Sequence, residues 1–322
     1  MKIIGTGSYV PDLSIKNDDL SKIMDTSDEW ISSRTGIKKR RISNGENTSD
    51  LASKAALQAL KNAQIDAKDI DLIIVATTSP DYFVPSTACV VEEKIGAVNA
   101  ISFDISAACS GFLYAINIAK NFIISNQCNN ALIIGAEVLS KLVDWKDRST
   151  CVLFGDGAGA VVVEDSKESG ILDITIGSEG EKWKALKCKS CFVENPYVTN
   201  EKENEENLKI HMSGKEIFKF AVNTITNGIR NILKDTTYNI EDIKYIVPHQ
   251  ANLRIIEFAA KKLKIDPEKF YINLDQYGNT SGASIPIALD EMNRKGVLKK
   301  GDKIILVAFG GGLTWGCSLI EW

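Results

Sequence analysis

The amino-acid sequence predicts an α/β protein built from two similar halves. The run Asp69-Ile-Asp-Leu-Ile-Ile-Val resembles Asp242-Ile-Lys-Tyr-Ile-Val, and each is a β-type segment that follows a helical stretch and a short polar turn. Ser110-Gly111 and Ser281-Gly282 follow these runs at similar distances, and a helix-patterned segment comes after each. We therefore predict two βα-rich halves related by a pseudo-dyad, with the functional site at their junction.

Length and composition agree with this organisation. The 322 residues exceed one typical domain, and we place the N-terminal half at 1–170 and the C-terminal half at 171–322. The net charge of −4 argues against nucleic acid as the main partner, because a general basic footprint is missing. We expect no membrane partner either, since no apolar run approaches the roughly 18 residues of a spanning helix.

The cysteine content predicts a reducing, cytoplasmic setting. Seven cysteines are an odd number, and they are spread widely through a chain without a signal peptide. Cys188 and Cys191 form a Cys-x-x-Cys pair, but a structural zinc site needs four ligands and no second pair has suitable spacing. We interpret this pair and the acidic run 200–207 as surface segments and expect no metal site.

Cys109 is the candidate nucleophile. It lies in Ile105-Ser-Ala-Ala-Cys-Ser-Gly, which opens an apolar, helix-patterned run, so its sulfur is expected over the first turn of a helix. Free amides and the macrodipole favour negative charge there and can lower the pKa of a thiol below about 8.5. The alternative is a small buried cysteine without a chemical role.

Two further residues occupy similar junctions. His249 follows a β-type run and precedes the amphipathic stretch 253–263, while Asn279 lies between the short apolar segment 271–274 and a helix-patterned run. Such strand-to-helix junctions are where α/β folds place reacting side chains. The only other histidine in the sequence, His211, has no matching junction, and we interpret it as structural.

A third junction offers backbone donors. The β-branched run 304–309 predicts a central strand that leads directly into Gly310-Gly311-Gly312. Consecutive glycines permit positive φ and close approach of the backbone to a ligand. Alone they would indicate a tight turn, but beside a nucleophile a backbone N–H of this loop can join that of Cys109 as an oxyanion hole for a thioester.

With these residues assembled, the chain resembles the β-ketoacyl-acyl-carrier-protein synthase III family, the initiating condensing enzymes of type II fatty acid synthesis. The motifs that carry the resemblance are Lys2-Ile-Ile-Gly-Thr-Gly-Ser-Tyr-Val-Pro, Asp25-Thr-Ser-Asp-Glu-Trp-Ile, Arg34-Thr-Gly-Ile, Asp104-Ile-Ser-Ala-Ala-Cys-Ser-Gly-Phe, Phe154-Gly-Asp-Gly-Ala-Gly-Ala, Pro248-His-Gln-Ala-Asn-Leu-Arg, Gly278-Asn-Thr-Ser and Phe309-Gly-Gly-Gly-Leu-Thr-Trp-Gly. The resemblance implies a thiolase-like, five-layered αβαβα fold and a homodimer.

Two positions separate this resemblance from related families. Elongating synthases carry a second histidine where this chain has Asn279, and thiolases carry a second catalytic cysteine where it has Phe309. Cys317 lies beyond the glycine loop, so we predict that it is a core residue.

The resemblance also implies a two-stage reaction. Cys109 would attack an acyl-CoA, with the oxyanion held by the backbone amides of Cys109 and Gly311. Malonyl-acyl carrier protein would then lose CO₂, and His249 and Asn279 would stabilise the enolate that attacks the acyl-enzyme. Both thioesters are substrates, and no cofactor is expected.

The substrate-binding residues are implied in the same way. Trp30 and Arg148 would hold the adenine of CoA between them, and residues expected to line the approach are Thr26, Arg34, Gly214 and Asn252. A basic patch on one predicted helix would meet the acidic carrier protein, and its members are Arg254, Lys261 and Lys262.

The acyl pocket is expected to be lined by Leu139 and Phe154, with Val84 at the position from which the family can lend a residue across the dimer interface. Several family members have phenylalanine there, so the smaller valine predicts a deeper or wider pocket and primers larger than acetyl.

Two other functions are compatible with these residues. One is a related acyltransferase of secondary metabolism that uses another nucleophile or acceptor. The other is an acyl-CoA-binding protein without catalytic activity.

Overall fold

The computed structural model describes residues 1–168, 170–191, 197 and 208–322, so the acidic run 200–207 lies outside the described residues. The strands of the N-terminal half are β1 (Lys2–Tyr9), β2 (Ser14–Lys16), β3 (Lys39–Arg41), β4 (Leu72–Ala76), β5 (Ile101–Ile105), β6 (Asn130–Glu137) and β7 (Gly157–Glu164). Its helices are α1 (Asn17–Leu20), α2 (Asp28–Thr35), α3 (Thr48–Ala63), α4 (Thr87–Ile95) and α5 (Gly111–Ile124).

The C-terminal half begins at a strand of the second large sheet. Its strands are β8 (Ile171–Ser178), β9 (Leu186–Lys187), β10 (His211–Met212), β11 (Ile243–Pro248), β12 (Lys303–Gly310) and β13 (Thr314–Glu321). Its helices are α6 (Gly214–Lys234), α7 (Leu253–Leu263), α8 (Leu274–Tyr277) and α9 (Ser284–Arg294).

The two large sheets have the same topology. The first has the strand order β1-β7-β6-β4-β5, and the second, read in the matching direction, has the order β8-β13-β12-β11. In both, a parallel pair (β4 with β6, β11 with β12) is followed by two antiparallel pairs. The first sheet has one more strand, β5, which forms its edge.

The sequence repeat is real, but its predicted register is off by two residues. The 3₁₀ turn Ala108–Ser110 precedes α5, and the 3₁₀ turn Ser281–Ala283 precedes α9. Ala108 therefore corresponds to Ser281, and the Ser-Gly dipeptides do not correspond to each other. The physical marker is the backbone, because Ala108 and Ser281 both have positive φ, at 47° and 50°.

The five-layered αβαβα fold is confirmed. Helices α3 and α4 cover the outer face of the first sheet, and α6 and α7 cover the outer face of the second. Between the sheets lie α5 and α9, whose apolar side chains form one core with residues of both sheets. A helix that is apolar on most of its surface needs such a two-sided environment, and the buried positions of α5 fit it.

Helix α2 is fixed against the start of α7. Its first turn is capped by Ser27, whose hydroxyl accepts from the Trp30 backbone N–H, and it ends at Gly36 with φ of 80°. A Cβ on Gly36 would lie 2.6 Å from the Leu253 Cβ, so only glycine allows this contact. No helix in the described ranges is long and apolar enough to cross a membrane.

Candidate active site

Cys109 is buried in the sharp turn between β5 and α5. The turn begins at Ala108, whose left-handed backbone is unfavourable for a residue with a side chain and is typical of functional sites. A Cβ on Gly310 would lie 2.6 Å from the Cys109 backbone nitrogen, so the glycine loop approaches Cys109 as closely as a backbone can. Gly311 follows and lines a cavity together with Cys109.

The expected lowering of the thiol pKa is wrong. Burial raises the pKa of Cys109 to about 12, and the carboxylate of Glu137 adds to this rise. The sulfur is removed from water, which disfavours the thiolate more than the helix N-terminus favours it. The helix itself begins only at Gly111. In its resting state Cys109 is therefore a neutral thiol.

His249 is held as a buried neutral imidazole. Its backbone N–H donates to the Val307 carbonyl at 2.8 Å, which extends the pairing of β11 with β12. The Nδ1 atom lies 2.8 Å from the Ser284 hydroxyl, and the Phe309 ring packs edge-on at 5.2 Å between centroids. Burial lowers the pKa of His249 to about 3, because the imidazolium form loses its hydration.

Two backbone hydrogen bonds to the segment 153–155 hold Asn279 in place. Its N–H donates to the Leu153 carbonyl at 2.8 Å, and its carbonyl accepts from the Gly155 N–H at 3.0 Å. Its side-chain oxygen accepts from the Ser281 N–H at 2.8 Å. A backbone N–H can only donate, so the atom that it contacts must be the amide oxygen of Asn279. The amide NH₂ group of Asn279 is therefore free to donate to a substrate.

One cavity of about 120 Å³ brings the three residues together. Cys109, His249 and Asn279 all line it, and most of its other walls are apolar. These walls are Leu153, Phe154, Leu186, Met212, Ile217, Phe218, Phe220, Ala251, Ile255 and Phe309. The side chains of His249 and Asn279 are neutral donors beside the Cys109 sulfur. In apolar surroundings, such donors suit a reaction in which negative charge develops on a substrate oxygen.

A second cavity of about 1240 Å³ also reaches Cys109. The three residues predicted for the acyl pocket, Val84, Leu139 and Phe154, all line it. Val84 is 86% exposed and adjoins Phe83, which is 76% exposed, so this end of the cavity is open in the single chain.

The residues predicted to bind CoA cluster around Trp30. The guanidinium of Arg34 lies 4.6 Å from the centre of its ring, and that of Arg148 lies 4.9 Å from it. Arg148 also donates to the Asp25 carbonyl at 2.5 Å. A purine ring would not fit between Trp30 and Arg148 at this distance, so Arg148 has to move outward for the predicted sandwich to form.

Three other residues are predicted to contact CoA. The Thr26 hydroxyl is buried and has no hydrogen-bond partner among the described residues, so a ligand could supply one. Gly214 and Asn252 line the cavity that holds the catalytic candidates. The Asn252 amide donates to the Arg34 carbonyl at 3.0 Å and so joins α7 to α2.

The predicted basic patch lies on the exposed face of α7. Arg254, Lys261 and Lys262 are all exposed, and Lys262 donates to the Asn223 side chain of α6 at 2.8 Å. Phe258, which is 52% exposed, lies on the same face and packs edge-on against Phe218 at 5.3 Å.

The remaining candidates are surface residues, although Cys188 also lines the larger cavity that reaches Cys109. His211 is exposed in β10, and Cys188 and Cys191 are exposed free thiols. Within the described ranges no group of three His, Cys, Asp or Glu side chains could hold a metal ion. Cys317 is fully buried in β13, so its prediction as a core residue is confirmed.

Sequence reasoning missed three polar residues close to the site. Ser284 contacts the imidazole of His249, the Ser281 N–H donates to Asn279, and Glu137 is completely buried at the end of β6, which packs against the turn of Ser281. A carboxylate at the end of the apolar run 131–136 was a signal that could have indicated Glu137. The two serines gave no signal of their own.

Known proteins are similar to this chain over its whole length. The family model 3-oxoacyl-[acyl-carrier-protein (ACP)] synthase III matches residues 103–180, and the model of its C-terminal part matches residues 233–322. The β-ketoacyl-[acyl-carrier-protein] synthase III of Clostridium novyi is 59% identical over 100% of this chain and 99% of its own length. That of Clostridium acetobutylicum is 58% identical over 100% and 98%.

Solved structures agree with the sequence comparisons. The crystal structure of 3-oxoacyl-[acyl-carrier-protein] synthase III from Aquifex aeolicus superposes with a TM-score of 0.93 and is 48% identical in sequence. The superposition covers 100% of this chain and 99% of that one.

Proposed function

The chain belongs to the 3-oxoacyl-[acyl-carrier-protein] synthase III family, as its motifs predicted, and from that premise we propose how its residues carry out the condensation. The enzyme joins an acyl-CoA primer to malonyl-acyl carrier protein and so initiates type II fatty acid synthesis. The observation that carries this proposal is the cavity that Cys109, His249 and Asn279 line together. The reaction divides into an acylation and a condensation.

In the acylation, Cys109 attacks the acyl-CoA thioester. The new C–S bond forms as the bond to the CoA sulfur breaks, and CoA leaves with a proton. The backbone N–H groups of Cys109 and Gly311 hold the oxyanion of the tetrahedral intermediate. The close approach of the glycine loop to the Cys109 nitrogen supports this assignment.

In the condensation, malonyl-acyl carrier protein loses CO₂, and the enolate oxygen accepts hydrogen bonds from His249 and Asn279. The Ser284 hydroxyl accepts from the Gln250 N–H at 3.4 Å, so its proton is free to point at Nδ1 of His249. This arrangement favours the tautomer with the proton on Nε2, which can donate. The free amide NH₂ of Asn279 is the second donor, and the carbanion then attacks the acyl-Cys109 carbonyl.

Both thioesters would enter from the side of α2 and α7. Trp30, Arg34 and Arg148 would bind the adenine end of CoA, and Thr26, Gly214 and Asn252 would line the path to Cys109. The positive face of α7 at Arg254, Lys261 and Lys262 would attract an acidic carrier protein, and the exposed Phe258 offers it an apolar contact.

The acyl chain would occupy the larger cavity beside Leu139 and Phe154. Its volume of about 1240 Å³ supports primers larger than acetyl. We also propose a homodimer, because β5 is the unpaired edge of the first sheet and its Ile101 is 53% exposed. A second copy would cover this edge and the open end of the cavity at Val84.

The proposed reaction requires no cofactor, since loss of CO₂ generates the carbanion. All seven cysteines are free thiols in the structure, which supports a reducing, cytoplasmic setting.

The test is product analysis with acetyl-, isobutyryl- and longer acyl-CoAs, each combined with malonyl-acyl carrier protein. We expect a β-ketoacyl carrier protein and one CO₂ for each primer consumed, with good turnover of primers larger than acetyl. Strict preference for acetyl would contradict the wide pocket. Transfer of the acyl group to a different acceptor without CO₂ release would contradict the condensing function.

A further inference from the structure

The acylation needs an acceptor for the Cys109 proton, and a buried carboxylate, Glu137, lies close to this residue. Glu137 ends β6 and has no exposed surface. Its oxygens accept from the Thr78 N–H at 3.2 Å, the Thr78 hydroxyl at 3.0 Å, the Ser79 hydroxyl at 2.5 Å and the Thr77 hydroxyl at 3.4 Å. In the part of the chain that the structure describes, no Lys or Arg forms an ion pair with it.

The direction of these bonds favours the ionised form of Glu137. The Ser79 hydroxyl accepts from the Val138 N–H at 2.9 Å, and the Thr77 hydroxyl accepts from the Ser79 N–H at 3.1 Å. Both hydroxyl protons are therefore directed at the carboxylate, which supplies acceptors only. Burying a charge without a counter-ion is costly, and such groups are concentrated at functional sites.

Ser281 connects this carboxylate to the nucleophile. The 3₁₀ turn that holds Ser281 packs against β6, which ends at Glu137, and hydrogen bonding from Ser281 lowers the pKa of both Cys109 and Glu137. Ser281, Cys109, Thr78 and Ser79 also line the same cavity. The left-handed backbone of Ser281 and the bond from its N–H to Asn279 hold the main chain of this turn in place.

The pseudo-dyad explains how the carboxylate comes to lie there. β6 and β12 are matching strands of eight residues, so Glu137 at the end of β6 corresponds to Gly310 at the end of β12. Gly310 adjoins the turn that carries Cys109, and Glu137 adjoins the matching turn that carries Ser281.

We propose that Glu137 accepts the proton of Cys109 through Ser281 during acylation. The thiol proton passes to the Ser281 oxygen as the Ser281 proton passes to Glu137, which leaves a thiolate and a neutral carboxylic acid. The thiolate attacks the acyl-CoA carbonyl, and the departing CoA sulfur takes up one proton by the reverse path. Glu137 is a carboxylate again at the end of the half-reaction, so every proton is balanced.

His249 is a poorer candidate for this step. Burial lowers its pKa to about 3, so it gains a proton much less readily than an ordinary histidine. Burial raises the pKa of Glu137 above its usual range, which makes this carboxylate a better acceptor. The other titratable groups that interact electrostatically with Glu137 are Lys141 and Cys109 itself.

The test is the rate of Cys109 acylation by acetyl-CoA in a single turnover, followed by intact-protein mass from pH 5 to 10. Glu137→Gln keeps the shape and removes the acceptor, and Ser281→Ala removes the connection while Glu137 stays ionised. We expect both variants to acylate roughly 100-fold or more slowly at neutral pH. We also expect their rates to rise about tenfold per pH unit, because only pre-formed thiolate reacts. In the unsubstituted enzyme the rate should fall only as Glu137 becomes protonated in acid.

The matched control is Asp156→Asn. Asp156 is an equally buried carboxylate that accepts from the Ser43 N–H at 2.7 Å and the Ser140 hydroxyl at 2.6 Å. Its replacement should change stability but not the pH profile of acylation. If Glu137→Gln does not fold, the acylation rate and pH profile of Ser281→Ala alone test the proton path.

The inference rests on the proposed function, but the two fail differently. If the unsubstituted enzyme forms no acyl-Cys109, the proposed function fails. If it is acylated and both variants keep its pH profile, only the proton path is overturned. Variants that are first acylated at high pH should still be discharged by malonyl-acyl carrier protein, and an equal loss in this step would contradict a role confined to acylation.

Discussion

The turn that carries Cys109 and the turn that carries Ser281 have the same backbone and different chemistry. Both are 3₁₀ turns that begin at a left-handed residue, and each leads into one of the two helices of the middle layer. The first holds the nucleophile against a glycine loop, and the second holds Asn279 and a serine against a buried carboxylate. A repeated fold thus supplies two positions of one geometry, and the side chains assign each a separate task.

The largest effect is expected at the nucleophile itself. Cys109→Ser should abolish acylation by acyl-CoA, because a serine hydroxyl in this buried site has no comparable nucleophilicity. Intact-protein mass measures the loss directly. The matched control is Cys128→Ser, since Cys128 is also buried and its pKa is also raised, to about 11. Acylation that persists in Cys109→Ser would show that the first turn does not carry the nucleophile.

The second-largest effect separates the acylation from the condensation. His249→Ala and Asn279→Ala should each slow decarboxylation roughly 10²- to 10³-fold, as expected for loss of one donor to a developing oxyanion. Acylation should be affected far less. Both rates follow from acylating each variant first and then adding malonyl-acyl carrier protein. Equal losses in acylation and in decarboxylation would contradict the assignment of His249 and Asn279 to the condensation.

The pH dependence of the condensation tests whether His249 acts as a neutral imidazole. Because burial lowers the pKa of His249 to about 3, the imidazole is neutral above that value, and the usual histidine titration near 6.5 should be absent. Discharge of a pre-formed acyl-enzyme should therefore show no inflection between pH 6 and 7. An inflection that disappears in His249→Ala would mean that the histidine titrates.

A smaller effect is expected at the glycine loop. Gly310→Ala places a Cβ 2.6 Å from the Cys109 nitrogen, so the loop must shift and the oxyanion donors separate. We expect acylation to fall about 10- to 100-fold and stability to fall by about 1–3 kcal/mol. Gly180→Ala is the control, because nothing lies within 4 Å of its Cβ position. Equal rates in the two variants would contradict the close approach.

The smallest effect concerns CoA binding. Trp30→Ala removes the ring on which Arg34 and Arg148 stack, and cation–π contacts contribute about 0.5–2 kcal/mol. KM for acyl-CoA should rise about 2- to 30-fold, with little change in the rate at saturation. Steady-state kinetics separates the two constants. A fall in the saturated rate alone would place Trp30 outside the CoA site.

Much of this comparison could be predicted from the sequence. Cys109, His249 and Asn279 each follow an apolar strand pattern and precede a helical one, and the structure brings them to one cavity. The two matching halves were also visible in the β-type runs before each turn. The residue types could not show which positions of the two turns correspond. The turns match through the left-handed backbone of Ala108 and Ser281.

The rest depended on burial, which the sequence does not give. A helix N-terminus predicts a lowered pKa for Cys109, but removal of the sulfur from water reverses the direction. Glu137 and Ser281 act on Cys109 only because β6 and the second turn meet in space. The stacking of Arg148 directly on Trp30 likewise depends on the bond from Arg148 to Asp25.

The most direct test of the central claim is the intact mass of the unsubstituted enzyme over time, first with an acyl-CoA and then after addition of malonyl-acyl carrier protein. We predict a mass gain of one acyl group on Cys109 that disappears on the second addition as β-ketoacyl carrier protein and CO₂ appear. An acyl-enzyme that survives the addition, or product formed without any acylated Cys109, would contradict the account.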